Sequence, residues 1–249
     1  MKTRNKHLTQ DTPFPIMPED HLTFHQFTPE TLLGPLNEVE AKRAPKTLFV
    51  AGDETLFRGR PLVSVVGSRK ASDQGLGRAR RIARLLVERG AVVVSGLAEG
   101  IDTAAHVGAI DAGGRTIGVL GTPLDKSYPK SNRELQERMI REHAVVSQFP
   151  IGYPVSPGNF VMRNATMALL VSASIIVEAG DTSGALSQGW EALRLGRMLF
   201  IMNSILENHN LEWPKKMQRY GAQVLSDDNL EHFLDALPTE TADIDGTIL

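Results

Sequence analysis

Short β-branched apolar runs alternate with helical stretches through most of this chain, and that alternation narrows the available folds more than any other feature. The runs are Leu62–Val66, Ala91–Ser95, Thr116–Leu120, Ala144–Ser147, Ile175–Glu178 and Met198–Met202. Continuous apolar segments of this length read as strands buried on both faces. Helical periodicity lies between them, near Gly75–Arg89, Ile101–Ala112, Asn132–Glu142, Arg163–Val171 and Gly184–Leu195. In the first of these, Ala79, Ile82, Ala83 and Leu86 fall at i, i+3, i+4 and i+7 and form an apolar stripe, while Arg78, Arg80, Arg81 and Arg84 take the other faces. Gly90 follows, where a glycine ends a helix. The pattern predicts an α/β fold: a Rossmann-like, doubly wound, mostly parallel sheet with helices on both faces.

The flanks differ from this body. Residues 1–45 read as an extended N-terminal arm, carrying Pro13, Pro15 and Pro18, with one short helix over Thr31–Ala41. A first short strand is expected at Thr47–Ala51, and the domain runs over residues 46–226. Residues 227–249 read as an acidic tail: seven acids and no Lys or Arg follow Ser226, against 22 acids and 27 bases before it, a net of +5. A basic body is compatible with an anionic ligand without requiring one. The absence of cysteine excludes disulfides, a thiol nucleophile and Cys-ligated metal. The longest apolar run, Met167–Val177, is too short to span a bilayer, and no signal-peptide pattern opens the chain, so a cytoplasmic protein without a membrane partner is expected.

In doubly wound folds ligands bind beyond the carboxyl ends of the strands, so the turns there should carry the function. Four of them are rich in Gly, Ser and charge: Gly67-Ser68-Arg69-Lys70-Ala71-Ser72, Ser95-Gly96-Leu97-Ala98-Glu99-Gly100-Ile101-Asp102, Gly121-Thr122-Pro123-Leu124-Asp125 and Glu178-Ala179-Gly180-Asp181-Thr182-Ser183-Gly184. Amides and side chains of Gly67 to Arg69 would cradle a phosphate at a helix start. Asp102, Asp125 and Glu178 read as supporting carboxylates that hold Arg and Lys side chains. Phe160 with Arg163 and Asn164 offers a ring beside a phosphate contact, the pairing that holds single strands; a core role for Phe160 fits the sequence equally well. The chain lacks the Walker phosphate loop, a standard dinucleotide fingerprint and a G-x-S-x-G elbow. Its seven histidines are scattered, and no metal site is expected.

Several stretches, in order and spacing, resemble the DNA-processing protein A (DprA, also called Smf) family. They are Val65-Val66-Gly67-Ser68-Arg69; Ser95-Gly96-Leu97-Ala98-Glu99-Gly100-Ile101-Asp102-Thr103-Ala104-Ala105-His106; Leu124-Asp125 with Tyr128-Pro129 and Asn132; Phe160 with Arg163-Asn164; and Val177-Glu178-Ala179 with Ser183-Gly184. The resemblance covers about Thr31 to Ser226. It implies an extended Rossmann domain that binds single-stranded DNA, as a homodimer, and hands the strand to a RecA-type recombinase during natural transformation, without catalysis or a cofactor. It implies phosphate contacts from Arg69 and Arg163, base stacking on Phe160, and donors from Gly67, Ser68, Ser183 and Gly184. Lys70, Ser95, Gly96 and Asn164 complete the candidate nucleic-acid site.

The chain also departs from the family pattern, with Val161 for a Pro, Ala165 for a second Arg, Pro123 for a Gly and Asn203-Ser204 for a Pro-Gly. It is expected to be a trimmed form, without the full N-terminal helical domain or a C-terminal winged helix. One lost phosphate contact would lower the salt slope of single-strand binding by ~0.7. An alternative reading is a DprA-like regulator in anti-phage defence or a toxin–antitoxin pair, sensing a nucleotide or nucleic acid and gripping a toxin-like partner. A nucleoside-monophosphate-cleaving enzyme is disfavoured, because the turn at Gly180–Leu186 lacks the Pro-Gly-Gly-x-Gly-Thr-x-x-Glu motif of such enzymes.

Overall fold

A computed structural model describes residues 22–237. Nine strands form one sheet: β1 (His25–Phe27), β2 (Leu48–Gly52), β3 (Leu62–Gly67), β4 (Val92–Ser95), β5 (Thr116–Leu120), β6 (Ala144–Ser147), β7 (Ala173–Glu178), β8 (Met198–Met202) and β9 (Gln223–Leu225). Their spatial order is β1-β2-β6-β5-β4-β3-β7-β8-β9. All neighbours from β6 to β9 are parallel, and β2 alone runs opposite to the rest, so that its pairs with β1 and β6 at one edge are antiparallel. The mostly parallel, Rossmann-like sheet is the one the apolar runs predict.

The helices are α1 (Pro29–Leu33), α2 (Glu38–Arg43), α3 (Asp73–Glu88), α4 (Ile101–Asp111), α5 (Arg133–Glu142), α6 (Pro157–Leu170), α7 (Ala185–Arg194), α8 (Asn203–Leu206), α9 (Trp213–Arg219) and α10 (Asp227–Asp235). Successive strand residues alternate between two cores. Val92, Val94, Ile176, Leu199 and Ile201 face the layer containing α6, α7 and α9, where Met167, Ala185 and Met217 meet them. Val63, Val65, Val93, Ile175 and Phe200 face α3, α4 and α10. Burial on both faces accounts for the absence of polar alternation in the strands.

Three local expectations change. The single helix expected over Thr31–Ala41 is two helices, because Gly34 adopts φ +88 and Pro35 follows it. Asn37 then starts α2 with a reciprocal capping box to Glu40. The helix expected from Arg163 begins at Pro157, with Ser156 as N-cap, so Phe160 lies inside it rather than ahead of it. Finally, residues 227–235, read from charge as a tail, form α10. Leu230, Phe233 and Leu234 dock into the α3 side of the core, with the Phe233 ring 4.3 Å from that of Phe200. Asp227 pairs with Arg81, and Glu231 and Asp235 pair with Arg89. Charge outweighed the i, i+3, i+4 apolar spacing of this segment in the sequence, and burial decided the other way. Residues 1–21 and 238–249, the rest of the proposed arm and tail, lie outside the described residues.

Candidate nucleic-acid interface

The chain places β4, β5 and β6 on one side of β3 and then crosses from β6 to lay β7, β8 and β9 on the other, and such a switch point opens a crevice at the carboxyl ends of the strands. A cavity of about 560 Å³ lies there. Its walls come from the β3 turn (Gly67 to Lys70), the β7 turn with the start of α7 (Gly180 to Gln188), and one face of α6. Phe160, Arg163, Asn164 and Met167 follow the helical i, i+3, i+4, i+7 pattern, which is why one helix presents all four to the cavity.

Close backbone approach shapes the first turn. A Cβ on Gly67 would lie 2.6 Å from the Ile101 side chain and 2.7 Å from the Glu178 carbonyl oxygen, and one on Gly100 would lie 2.3 Å from the Ser68 carbonyl oxygen. The phosphate cradle expected at the start of α3 is already filled from within the protein. Glu178 accepts from the Ser72 amide at 2.8 Å and from the Ser72 hydroxyl at 2.5 Å, while Ser72 caps Gly75. A carboxylate thus sits where a helix N-terminus would attract a phosphate. The Ser68 amide donates to the Glu178 carbonyl at 2.7 Å, and the Ser68 hydroxyl accepts from the Lys70 amide. Glu178 therefore builds the turn instead of holding an Arg or Lys. The open helix start is that of α7, where Gly184, Ala185 and Ser187 line the cavity and Asn164 donates to the Gly184 carbonyl at 3.0 Å.

The two arginines expected to contact phosphate occupy different depths. Arg69 is exposed at the mouth, with its guanidinium carbon 5.7 Å from the centre of the Phe160 ring and 5.9 Å from that of Tyr128. Those rings lie 5.1 Å apart, and the Phe160 ring rests on Gly121, where a Cβ would come within 2.5 Å of it. Arg163 is only 5% exposed and forms the floor. It donates to the Val119 carbonyl at 3.1 Å and lies 4.0 Å from Asp102, which accepts from the Gly96 amide at 3.1 Å. A Cβ on Gly96 would fall 1.3 Å from the Arg163 guanidinium, so glycine there makes room for the buried ion. Burial pushes Arg163 below its ordinary pKa while Asp102 opposes the shift. Burial pushes Asp102 up while Arg163 opposes it. Each charge thus offsets part of what burial does to the other.

The remaining candidates divide clearly. Gly67, Ser68, Arg69, Lys70, Phe160, Arg163, Asn164, Ser183 and Gly184 line the cavity together with Asp102. Gly96 lies beneath it, against Arg163. Ser95 is fully buried and donates to the Val65 carbonyl at 2.7 Å, joining strands rather than facing a ligand. Asp125 does not reach the cavity, and its Oδ1 has no hydrogen-bond partner among the described residues. In the sequence Tyr128 stands only as part of a motif; its ring contacts with Phe160 and Arg69 make it part of the mouth. Gln188, fully buried, joins the wall by donating to Ser64 and Ser174 at 3.2 and 3.1 Å.

A Rossmann-like α/β protein with a cationic, aromatic-rimmed cleft at its topological switch point is what these contacts define. The chain belongs to the DNA recombination-mediator protein A family, whose model matches residues 27–237. It is 39% identical over 191 residues to the DNA processing protein DprA of Streptococcus pneumoniae, covering 74% of this chain and 67% of that protein. It is 36% identical over 231 residues to Protein Smf of Synechocystis, covering 91% of this chain and 58% of that protein. The solved DprA structure from Streptococcus pneumoniae matches with a TM-score of 0.73 at 31% identity, over 86% of this chain and 75% of that one. DprA from Helicobacter pylori, solved to explain its single-stranded DNA binding mode, matches with a TM-score of 0.71 at 25% identity, over 86% and 95%. Among the described residues no helix is long and apolar enough to cross a membrane, and no group of His, Asp or Glu is arranged to hold a metal ion.

Proposed function

We propose that this chain binds single-stranded DNA in the cleft between the β3 and β7 turns and delivers it to a RecA-type recombinase without turning over a substrate. The observation that carries this reading is Arg69, exposed over the Phe160 and Tyr128 rings at the mouth of the cavity. Bases stack on such rings while cations track the backbone, and the preference for a single strand follows because only unpaired bases expose their faces. Lys70 and the start of α7 add positive potential to the same opening. Family membership and the single-stranded DNA studied with the Helicobacter pylori relative support the same ligand. Homodimerisation and cytoplasmic action belong to this proposal, with the oligomeric state read by light scattering.

The regulator reading draws on the acidic end of the chain as a mimic of nucleic acid. Asp227, Glu231 and Asp235 are instead engaged by Arg81 and Arg89 of the same molecule, which favours the DNA reading. The test is fluorescence anisotropy of labelled oligo-dT at several salt concentrations, with duplex as control. Wild type should prefer the single strand, and Arg69→Ala should weaken binding about tenfold and lower the salt slope by ~0.7. Equal affinity of wild type and Arg69→Ala would refute the site.

A further inference from the structure

Beside Arg69 at the mouth of the cleft stands a carboxylate that phosphate contacts do not account for. Glu99 lines a small recess together with Arg69, Tyr128 and Phe160. It is exposed and makes no ion pair among the described residues, although two arginines line the same recess. Its Oε1 accepts from the Ser131 hydroxyl at 3.2 Å. The recess measures about 30 Å³, room for about one water. A base stacked at the Phe160 ring therefore lies across the recess rather than inside it, with one edge toward its rim.

The loop that carries Glu99 is fixed on both sides. The Ile101 amide donates to the Ser68 carbonyl at 3.2 Å, which ties the start of α4 to the β3 turn. Gly100, at φ +75, packs against the same turn. From the other side the buried Asn132 donates through Nδ2 to the Leu97 carbonyl at 2.8 Å and to the Ala98 carbonyl at 3.3 Å. These bonds bring its neighbour Ser131 to Glu99. A group held in this way has little freedom left to lose when a ligand arrives.

A carboxylate only accepts hydrogen bonds and repels phosphate, so it suits a base edge and not a backbone. The bases of a single strand expose their Watson–Crick edges. Guanine presents two adjacent donors there, N1–H and N2–H. Cytosine and adenine each present an amine beside a ring acceptor, and thymine presents its N–H between two carbonyls. We propose that Glu99 reads the edge of the base stacked at the mouth, and that it makes the cleft favour guanine over thymine, with cytosine and adenine between them. Arg69 and Lys70 keep the phosphates, and Ser131 aims the carboxylate. This inference rests on the single-stranded DNA reading of the cleft and adds a base preference to it.

The experiment is anisotropy competition on the whole chain. A short oligo-dT is compared with strands of the same length in which isolated positions carry dG, dC or dA. Wild type should bind the dG strand about tenfold more tightly than oligo-dT. Glu99→Gln, at an exposed position, should keep the wild-type melting temperature and lose most of that preference. Its affinity for oligo-dT should rise about twofold at low salt, because a charge that repels the phosphates is gone. Ser131→Ala should narrow the gap between the dG strand and oligo-dT. If wild type binds all four strands equally, or if Glu99→Gln keeps the wild-type preference, the role of Glu99 is refuted and the cleft reading survives. Failure of wild type to bind any strand removes both.

Discussion

The floor of the cleft and its mouth each hold one arginine, set three residues from the same phenylalanine in one case and stacked over it in the other. Arg163 on the floor is buried, bonded to a main-chain carbonyl and set against Asp102 over a glycine that clears its space. Arg69 at the mouth is exposed, with its guanidinium over two aromatic rings. A buried ion pair makes each partner costly to remove, because the survivor stays desolvated. An exposed cation over a ring is worth about 0.5–1 kcal/mol to the fold, so its charge remains available to a ligand. On the proposed reading the floor serves as scaffold and the mouth as contact surface, although both residues carry the same head group.

The sharpest way to break this contrast is Arg163→Ala. It should cost about 3–5 kcal/mol in denaturant unfolding by stranding Asp102, and an Arg163→Ala, Asp102→Ala double variant should cost less than the two single losses added together. A small loss for Arg163→Ala would return that residue to the contact surface. Next in size is the pH response of the floor. His106, one turn beyond Asp102 on α4 and bonded to Thr116 at 2.7 Å, is lowered to about 3, first by burial and then by His143 and Arg163. A histidine depressed in the folded state is protonated earlier in the unfolded chain, so its contribution is complete above about pH 6.5 and is lost as pH falls toward 3. Between about pH 7 and about pH 5 the wild type should lose ~2 kcal/mol more stability than His106→Gln; parallel curves would mean the site is not desolvated.

The mouth should respond in the opposite sense. Phe160→Leu keeps bulk over Gly121 but removes the ring face. Oligo-dT affinity should fall about five- to tenfold, with a stability change under about 1.5 kcal/mol by thermal melting. Smallest is the effect of Arg69→Ala on the fold, within about 1 kcal/mol despite its loss of binding. A large destabilisation there would erase the distinction between the two layers.

Much of this site was legible early. Gly67-Ser68-Arg69 and Ser183-Gly184 stand out as glycine turns at strand ends, a local signal that survives in any tertiary context, and Asn164 through its place beside Phe160 and Arg163. Other assignments depended on contacts made across the sheet. Glu178 looked like a partner for basic side chains, yet the Ser72 amide and hydroxyl claim it, because β7 runs beside β3 and delivers the carboxylate to the start of α3. Ser95 occupied the right turn but points between strands. Tyr128 entered the mouth only when the loop after β5 folded over α6. The start of α6 is written in the sequence as Ser156-Pro157, a cap followed by a first-turn proline that lies ahead of the Phe160–Arg163 pattern.

By itself the sequence determined the order of β2 to β8 and of the helices between them, the mostly parallel sheet, and the edge that carries the Gly-rich turns. Apolar period and glycine placement are local properties, and burial on both faces leaves few ways to arrange them. Only the tertiary structure decided which charges are buried, which helix start stays open to an anion, and that α10 docks on the arginines of α3. Those outcomes depend on desolvation by residues distant in the chain, and two arginines of one cleft can differ completely in what surrounds them in space.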